Sequence, residues 1–68
     1  MRLRQLRENQ KLSQAELGEA LGMNQNTISR YETGMREPSN RDLILIADYF
    51  GVSVDYLLGR TENPVMNK

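Results

Sequence analysis

SQAELGEALGMNQNTISRYETG, residues 13–34, sets two short helical signals on either side of a glycine turn. Ser13 and Glu16 have the S-x-x-E spacing of a capping box, in which hydroxyl and carboxylate each satisfy a free backbone donor, so a helix should begin at Gln14. Gly22 stops it, because glycine enters the left-handed conformation without a Cβ clash. Asn24, two positions later, is a good N-cap for a further helix from Gln25 to about Thr33, which Gly34 closes. Two helices therefore meet at a tight, angled turn.

Outward from this stretch, Leu3, Leu6 and Gln10 keep helical spacing with Arg7 among them, which predicts a first helix from about Arg2 to Asn9. A loop containing Arg36 and Pro38 follows Gly34. Ser39 and Asp42 can cap a fourth helix, with Leu43, Ile46, Ala47 and Phe50 as its core face at i, i+3, i+4 and i+7. Gly51 terminates it. Ser53 opens a short fifth helix through Leu57 and Leu58, closed by Gly59. The remainder, RTENPVMNK, is polar with a proline and is expected to fray. Five short helices with tight joints make an all-α domain over residues 1–59, with 60–68 a polar tail or the start of a linker.

Size and composition narrow the chemistry. A chain of 68 residues is one domain, and at that size folding buries only roughly 60% of the surface of the unfolded chain, so stability is marginal. Cysteine and histidine are both absent, which removes disulfide staples, most zinc sites and the usual catalytic bases. The acidic residues fall on separate helices and no nucleophile has a neighbouring base, so an enzyme is not expected, and neither a cofactor nor a small-molecule ligand is implied. No apolar run approaches the roughly 18 residues of a membrane span, and no basic-then-apolar leader is present, so an intracellular, cytoplasmic protein without a membrane partner is expected.

Nine Lys plus Arg balance nine Asp plus Glu, and the formal net charge is zero. The distribution is uneven: residues 1–41 carry seven basic and five acidic side chains, while residues 42–68 carry two and four. That mild asymmetry can orient a small domain towards an anionic partner.

On a wheel of 100° per residue, the third helix gathers Ile28, Tyr31 and Glu32 on one side and Gln25, Asn26, Ser29, Arg30 and Thr33 on the other, with Thr27 on the edge. The first set can only pack inward. The second both donates and accepts hydrogen bonds, as a DNA major groove requires: Gln and Asn pair with the adenine edge, Arg with guanine, and Thr with the thymine methyl. The plain alternative is a solvated helix face, but such a face usually carries Glu, Lys and Ala, which helix propensity favours over Asn, Thr and Ser.

Residues 13–34 resemble the helix-turn-helix of the phage repressor and Cro (Xre-like) family, and GVSVDYLLG, residues 51–59, is similar to that family's closing helix. The likeness runs from about Leu3 to Gly59. It implies a compact five-helix repressor-like domain in which the second helix of the motif lies in the major groove and the first braces against the backbone. Gln14 matches the family's glutamine at the start of the bracing helix, facing a phosphate. Gln25 and Asn26 match the leading base-contacting positions, Asn24 caps the helix and is open to contact with the backbone or the first base, and Ser29 and Arg30 match later outward positions that reach bases or phosphates depending on the member. Arg36 and Arg41 are the candidates for phosphate contacts on the flanking strand, and Thr27 is open to either role.

The same resemblance implies a sequence-specific transcriptional regulator, expected as a repressor, that binds a two-fold-related double-stranded operator as a homodimer. In the family the dimer contact often uses the end of the last helix and the segment after it, here Asp55 to Thr61. A different class remains open: an antitoxin-like or regulatory protein-binding module on the same scaffold. An amide-rich third helix favours DNA, whereas Leu45 and Tyr49, apolar and outward on the fourth helix, favour a protein partner.

Arg7 and Glu32 both occupy inward positions, and a buried charge needs a partner. Pairing with each other is the simplest solution and agrees with the resemblance; the alternative is an Arg7 that snorkels to solvent beside a half-exposed Glu32. Gly18 stands where family members commonly have Ala, which permits close helix approach at a cost of about 0.5–1 kcal/mol in chain freedom.

Overall fold

The helix-turn-helix pair of the computed structural model is α2 (Gln14–Leu21) and α3 (Gln25–Thr33), preceded by α1 (Leu3–Asn9) and followed by α4 (Asn40–Phe50) and α5 (Val54–Leu57). The structure describes residues 1–65, and among these no strand occurs. The chain folds as an all-α, five-helix domain.

Each helix after the first starts where a side-chain oxygen meets a free backbone donor. Ser13 and Glu16 form the reciprocal capping box at 2.9 and 3.0 Å. Asn24 Oδ1 accepts from Asn26 N at 2.8 Å, Ser39 Oγ from Asp42 N at 3.2 Å, and Ser53 Oγ from Tyr56 N at 3.0 Å. The first helix differs from expectation: it begins at Leu3, and Arg2 flanks it without a side-chain cap. Arg2 is drawn elsewhere, since its guanidinium lies 4.4 Å over the Tyr56 ring and its Nε donates to the Tyr56 carbonyl at 2.8 Å.

That anchor also changes the tail. Arg2 Nη2 donates to the Thr61 carbonyl at 3.2 Å and to Glu62 Oε1 at 2.9 Å, and Ser53 N donates to the Pro64 carbonyl at 3.0 Å. Residues 61–64 thus supply acceptors to the Arg2 guanidinium beside α1 and to the backbone donor at the start of α5. Residues 66–68, the rest of the segment expected to fray, lie outside the described residues.

The turn between α2 and α3 is as tight as its two glycines allow. Gly22 takes a left-handed φ of 68°, and a Cβ built on Gly18 would stand 2.6 Å from the Met23 carbonyl oxygen. Close approach, and not merely chain freedom, accounts for glycine at position 18.

Leu3, Leu17, Ile28, Ile46 and Leu57 form the fully buried centre, one from each helix, joined by Tyr31, Ala47 and Val52. A fully buried side chain of this kind contributes about 1.5–3 kcal/mol. Of the expected core face of α4, Ile46 and Ala47 are buried, while Leu43 and Phe50 are half-buried at the margin.

Under α3 lies a charge pair. Arg7 Nε and Nη2 donate to Glu32 Oε2 and Oε1 at 2.6 and 3.0 Å, with the two side chains 11% and 3% exposed. Arg7 Nη1 donates to the Leu12 carbonyl at 2.7 Å, and Gln14 Nε2 to Glu32 Oε1 at 3.1 Å. Every buried polar side-chain atom among the described residues has a partner. Removing one charge strands the other in a dry site. Glu32→Ala is therefore expected to cost about 3–5 kcal/mol in chemical or thermal unfolding. A loss below about 0.5 kcal/mol, the level of surface substitutions, would contradict this account.

Candidate nucleic-acid interface

Packing decides which face of α3 is free. Ile28 and Tyr31 are buried against the core and Glu32 is held by Arg7, so the opposite face carries exposed Gln25, Asn26, Arg30 and Thr33, with Thr27 and Ser29 half-buried beside them. Exposure alone is a poor guide to what these side chains can offer a ligand, because internal bonds consume some of their capacity. Thr33 Oγ1 donates back to the Ser29 and Arg30 carbonyls at 3.0 and 3.3 Å. Asn24 Oδ1 is taken by its own cap, which leaves the amide N–H groups to donate outward. The Gln25 and Asn26 carboxamides enter no internal side-chain bond among the described residues and project from the first turn of α3, where the helix dipole is positive.

Gln14, the first residue of α2, is half-buried and not a free surface amide. One of its N–H groups goes to Glu32 Oε1. The structure thus adds Gln14 to the expected Arg7–Glu32 pair beneath the edge of α3, a third member that the linear spacing does not reveal.

Beside the start of α3 opens a polar groove of about 350 Å³, lined by Asn24, Thr27, Tyr31, Arg36, Arg41 and Asp42 among others. Arg36 and Arg41 are exposed, and no carboxylate forms an ion pair with Arg30, Arg36 or Arg41 among the described residues. At the groove floor the Tyr31 hydroxyl donates to Asp42 Oδ2 at 2.5 Å, which ties α3 to the first turn of α4 and so fixes where Arg41 stands. Burial pushes the Tyr31 hydroxyl above its ordinary pKa, the bond to Asp42 and the charge of that carboxylate add to the rise, and Arg36 opposes it. Asp42 had been legible only as a helix-start residue. The signal for its second role was Tyr31 itself, an inward residue whose hydroxyl must find a partner once buried.

For Glu32, burial by itself would raise the pKa, but hydrogen bonds from Arg7 and Gln14 and the charges of Arg7 and Arg4 outweigh it and hold the carboxyl below its ordinary value. The same bond to Glu32 raises the Arg7 guanidinium against a smaller opposing effect of burial. Among the described residues, no three His, Cys, Asp or Glu side chains cluster in a way that could hold a metal ion, and no helix is long and apolar enough to cross a membrane.

Residues 3–57 match the helix-turn-helix family. The chain belongs to that family. Among curated relatives it is 40% identical over 63 residues to the uncharacterized HTH-type transcriptional regulator YobD of Bacillus subtilis, an alignment covering 93% of this chain and 56% of the relative. It is 36% identical over 61 residues to the HTH-type transcriptional regulator ImmR of the same organism, covering 90% and 48%. To the HTH-type transcriptional activator BcrR of Enterococcus faecalis it is 36% identical over 61 residues, covering 90% and 30%. The chain thus spans about half the length of the first two relatives. No solved structure matches it significantly.

In this helix-turn-helix domain the buried pair has a consequence for acid stability. The native pKa of Glu32 lies below the unfolded one, so its contribution is complete above the ordinary carboxylate value of 4.5 and is lost as pH falls through the native value. Unfolding free energy from urea titration is expected to hold steady near neutrality and to fall below about pH 4.5, less steeply in a folded Glu32→Gln variant. An equally steep acid fall in that variant would assign the effect to other carboxylates.

Proposed function

We propose that the domain is a sequence-specific, double-stranded DNA-binding transcriptional regulator that inserts α3 into the major groove. The observation that carries this reading is the pair of unengaged carboxamides, Gln25 and Asn26, on the first exposed turn of a helix whose other face is locked in the core. Each can pair bidentately with an adenine edge, Arg30 with a guanine or a phosphate, and Thr27 and Ser29 offer shorter contacts beside them. Asn24 donates to the backbone at the start of the helix. Gln14, with Arg36 and Arg41 along the groove beside α4, takes phosphates and sets the register. With zero formal net charge, the domain makes few phosphate contacts, and its salt dependence is shallow. Occupying an operator and excluding other proteins from it is the repressor's mode of action, and we read the protein as a cytoplasmic repressor without cofactor or small-molecule ligand.

One module of this size, with a handful of base contacts, is weak against a genome of competing sites, and two linked half-sites add their free energies. We therefore read the operator as two-fold-related and the protein as a homodimer. A surface for the contact is at hand: Leu43, Ile44 and Val54 line an apolar hollow, Met1, Leu43 and Leu58 share the adjoining one with Arg36 and Glu37, and Ile44 is 53% exposed. This surface adjoins the stretch from Asp55 to Thr61. A regulatory protein-binding role has its own support in Leu45 and Tyr49, 39% and 41% exposed on another side of α4.

Selection from random duplex DNA is expected to return one enriched sequence with a two-fold repeat. Gln25→Ala is expected to lower affinity for that sequence by about 1–3 kcal/mol while leaving binding to unrelated duplex intact. No enriched sequence, together with capture of a protein through Leu45 and Tyr49, would favour the protein-binding role. Ile44→Asp is expected to keep the helical circular dichroism, sediment as a monomer and lose cooperative occupancy of the full site. A variant that still sediments as a dimer would move the contact elsewhere.

A further inference from the structure

Gln14 and Glu32 share a bond that the ion pair does not require. Glu32 already receives two bonds from Arg7, and Arg7 is fixed in turn by the Leu12 carbonyl, so Oε1 of Glu32 has a set place in a site where the carboxylate is 3% exposed. Gln14 Nε2 reaches that same oxygen at 3.1 Å from the first position of α2. We propose that Glu32 is a positioning residue for Gln14: by accepting one N–H of the carboxamide, it aims the second at a phosphate of bound DNA. The proposal rests on the reading that the domain docks DNA through α3.

The chemistry follows from the donor inventory. A glutamine amide nitrogen carries two hydrogens, and the one not given to Glu32 points away from the carboxylate. A free surface glutamine loses the freedom of its side-chain torsions when it binds; here much of that ordering is incurred during folding, which leaves less to lose at the interface. Arg7 has a second part in this. Its charge cancels that of Glu32, so a carboxylate lying close behind the phosphate-facing amide does not repel the phosphate. Internal ion pair and surface contact are thereby one network, although Arg7 and Glu32 themselves never touch the ligand.

A cycle of variants on the selected duplex tests this. Arg7→Met/Glu32→Met replaces both charges by apolar side chains of similar length, a change that folded proteins commonly accept where loss of one charge is not accepted. With folding verified by circular dichroism, the double variant is expected to bind the duplex about tenfold more weakly than wild type, as is Gln14→Ala alone. Gln14→Ala added to the double variant is expected to cost less than about twofold more, because the amide is already unaimed. A double variant that binds like wild type, or a Gln14→Ala penalty as large in that background as in wild type, overturns the positioning role and leaves the DNA reading intact. If the double variant does not fold, Glu32→Asp reads the same coupling, since it keeps a charge for Arg7 and withdraws the oxygen from Gln14. A wild-type protein that enriches no sequence defeats the DNA reading and the proposal with it.

Discussion

A guanidinium and a carboxylate taken out of water are tolerated only when every donor and lone pair between them finds a partner, and in this chain that requirement organises the neighbourhood of α3. Arg7 comes from α1, Glu32 from α3, the Leu12 carbonyl from the loop between α1 and α2, and Gln14 from the start of α2. A purely apolar contact among these segments would allow some sliding, since dispersion and burial are not directional. A two-bond fork at 2.6 and 3.0 Å does not. The fork thus fixes α3 against α1, while α2 meets α3 through the single Gln14 bond and the close approach at Gly18, and the Leu and Ile side chains at the centre supply the driving force.

The exposed face of α3 gains its meaning from what the rest of the fold has already used. Ile28, Tyr31 and Glu32 are spent inward, the Thr33 hydroxyl is spent on its own helix, and Asn24 is half spent on its cap. Gln25, Asn26 and Arg30 keep their hydrogen-bonding capacity at the surface. On the neighbouring side, the bond from Tyr31 to Asp42 holds the first turn of α4 against α3, so that Arg41 and Arg36 border one groove. Two internal polar contacts therefore frame the surface from both edges. This makes the domain's zero net charge less of an obstacle to an anionic partner, because the side chains are grouped by position instead of by number.

A second, more apolar surface begins beyond Arg36 and Tyr31. Met1, Leu43, Ile44, Val54 and Leu58 collect where the start of the chain, α4 and α5 meet, and the Arg2 anchor on Tyr56 keeps the first residues in that place. In a domain this small a substantial share of the apolar surface stays at the margin, and Ile44, Leu58 and Met1 are exposed although the central Leu and Ile side chains are fully buried.

Sequence by itself determined the elements. The limits of α2 and α3, the Ser13, Asn24, Ser39 and Ser53 caps and the Gly22 turn are set by residues within about four positions of one another, and short-range chemistry of that kind is written in the order of the residues. The inward and outward sides of α3 were legible for the same reason, through its 3.6-residue period. Only the tertiary structure decided which donors remain free. The Gln14 bond to Glu32 spans 18 positions, the Tyr31 bond to Asp42 eleven, and the Arg2 bonds to Tyr56 and Thr61 more than fifty. The Gly18 approach to the Met23 carbonyl depends on the path of the turn, and the acceptors of residues 61–64 meet Arg2 and Ser53 only after folding. Spacing along a helix tells where a side chain points; what it meets there depends on which distant segment the core has brought within 3 Å.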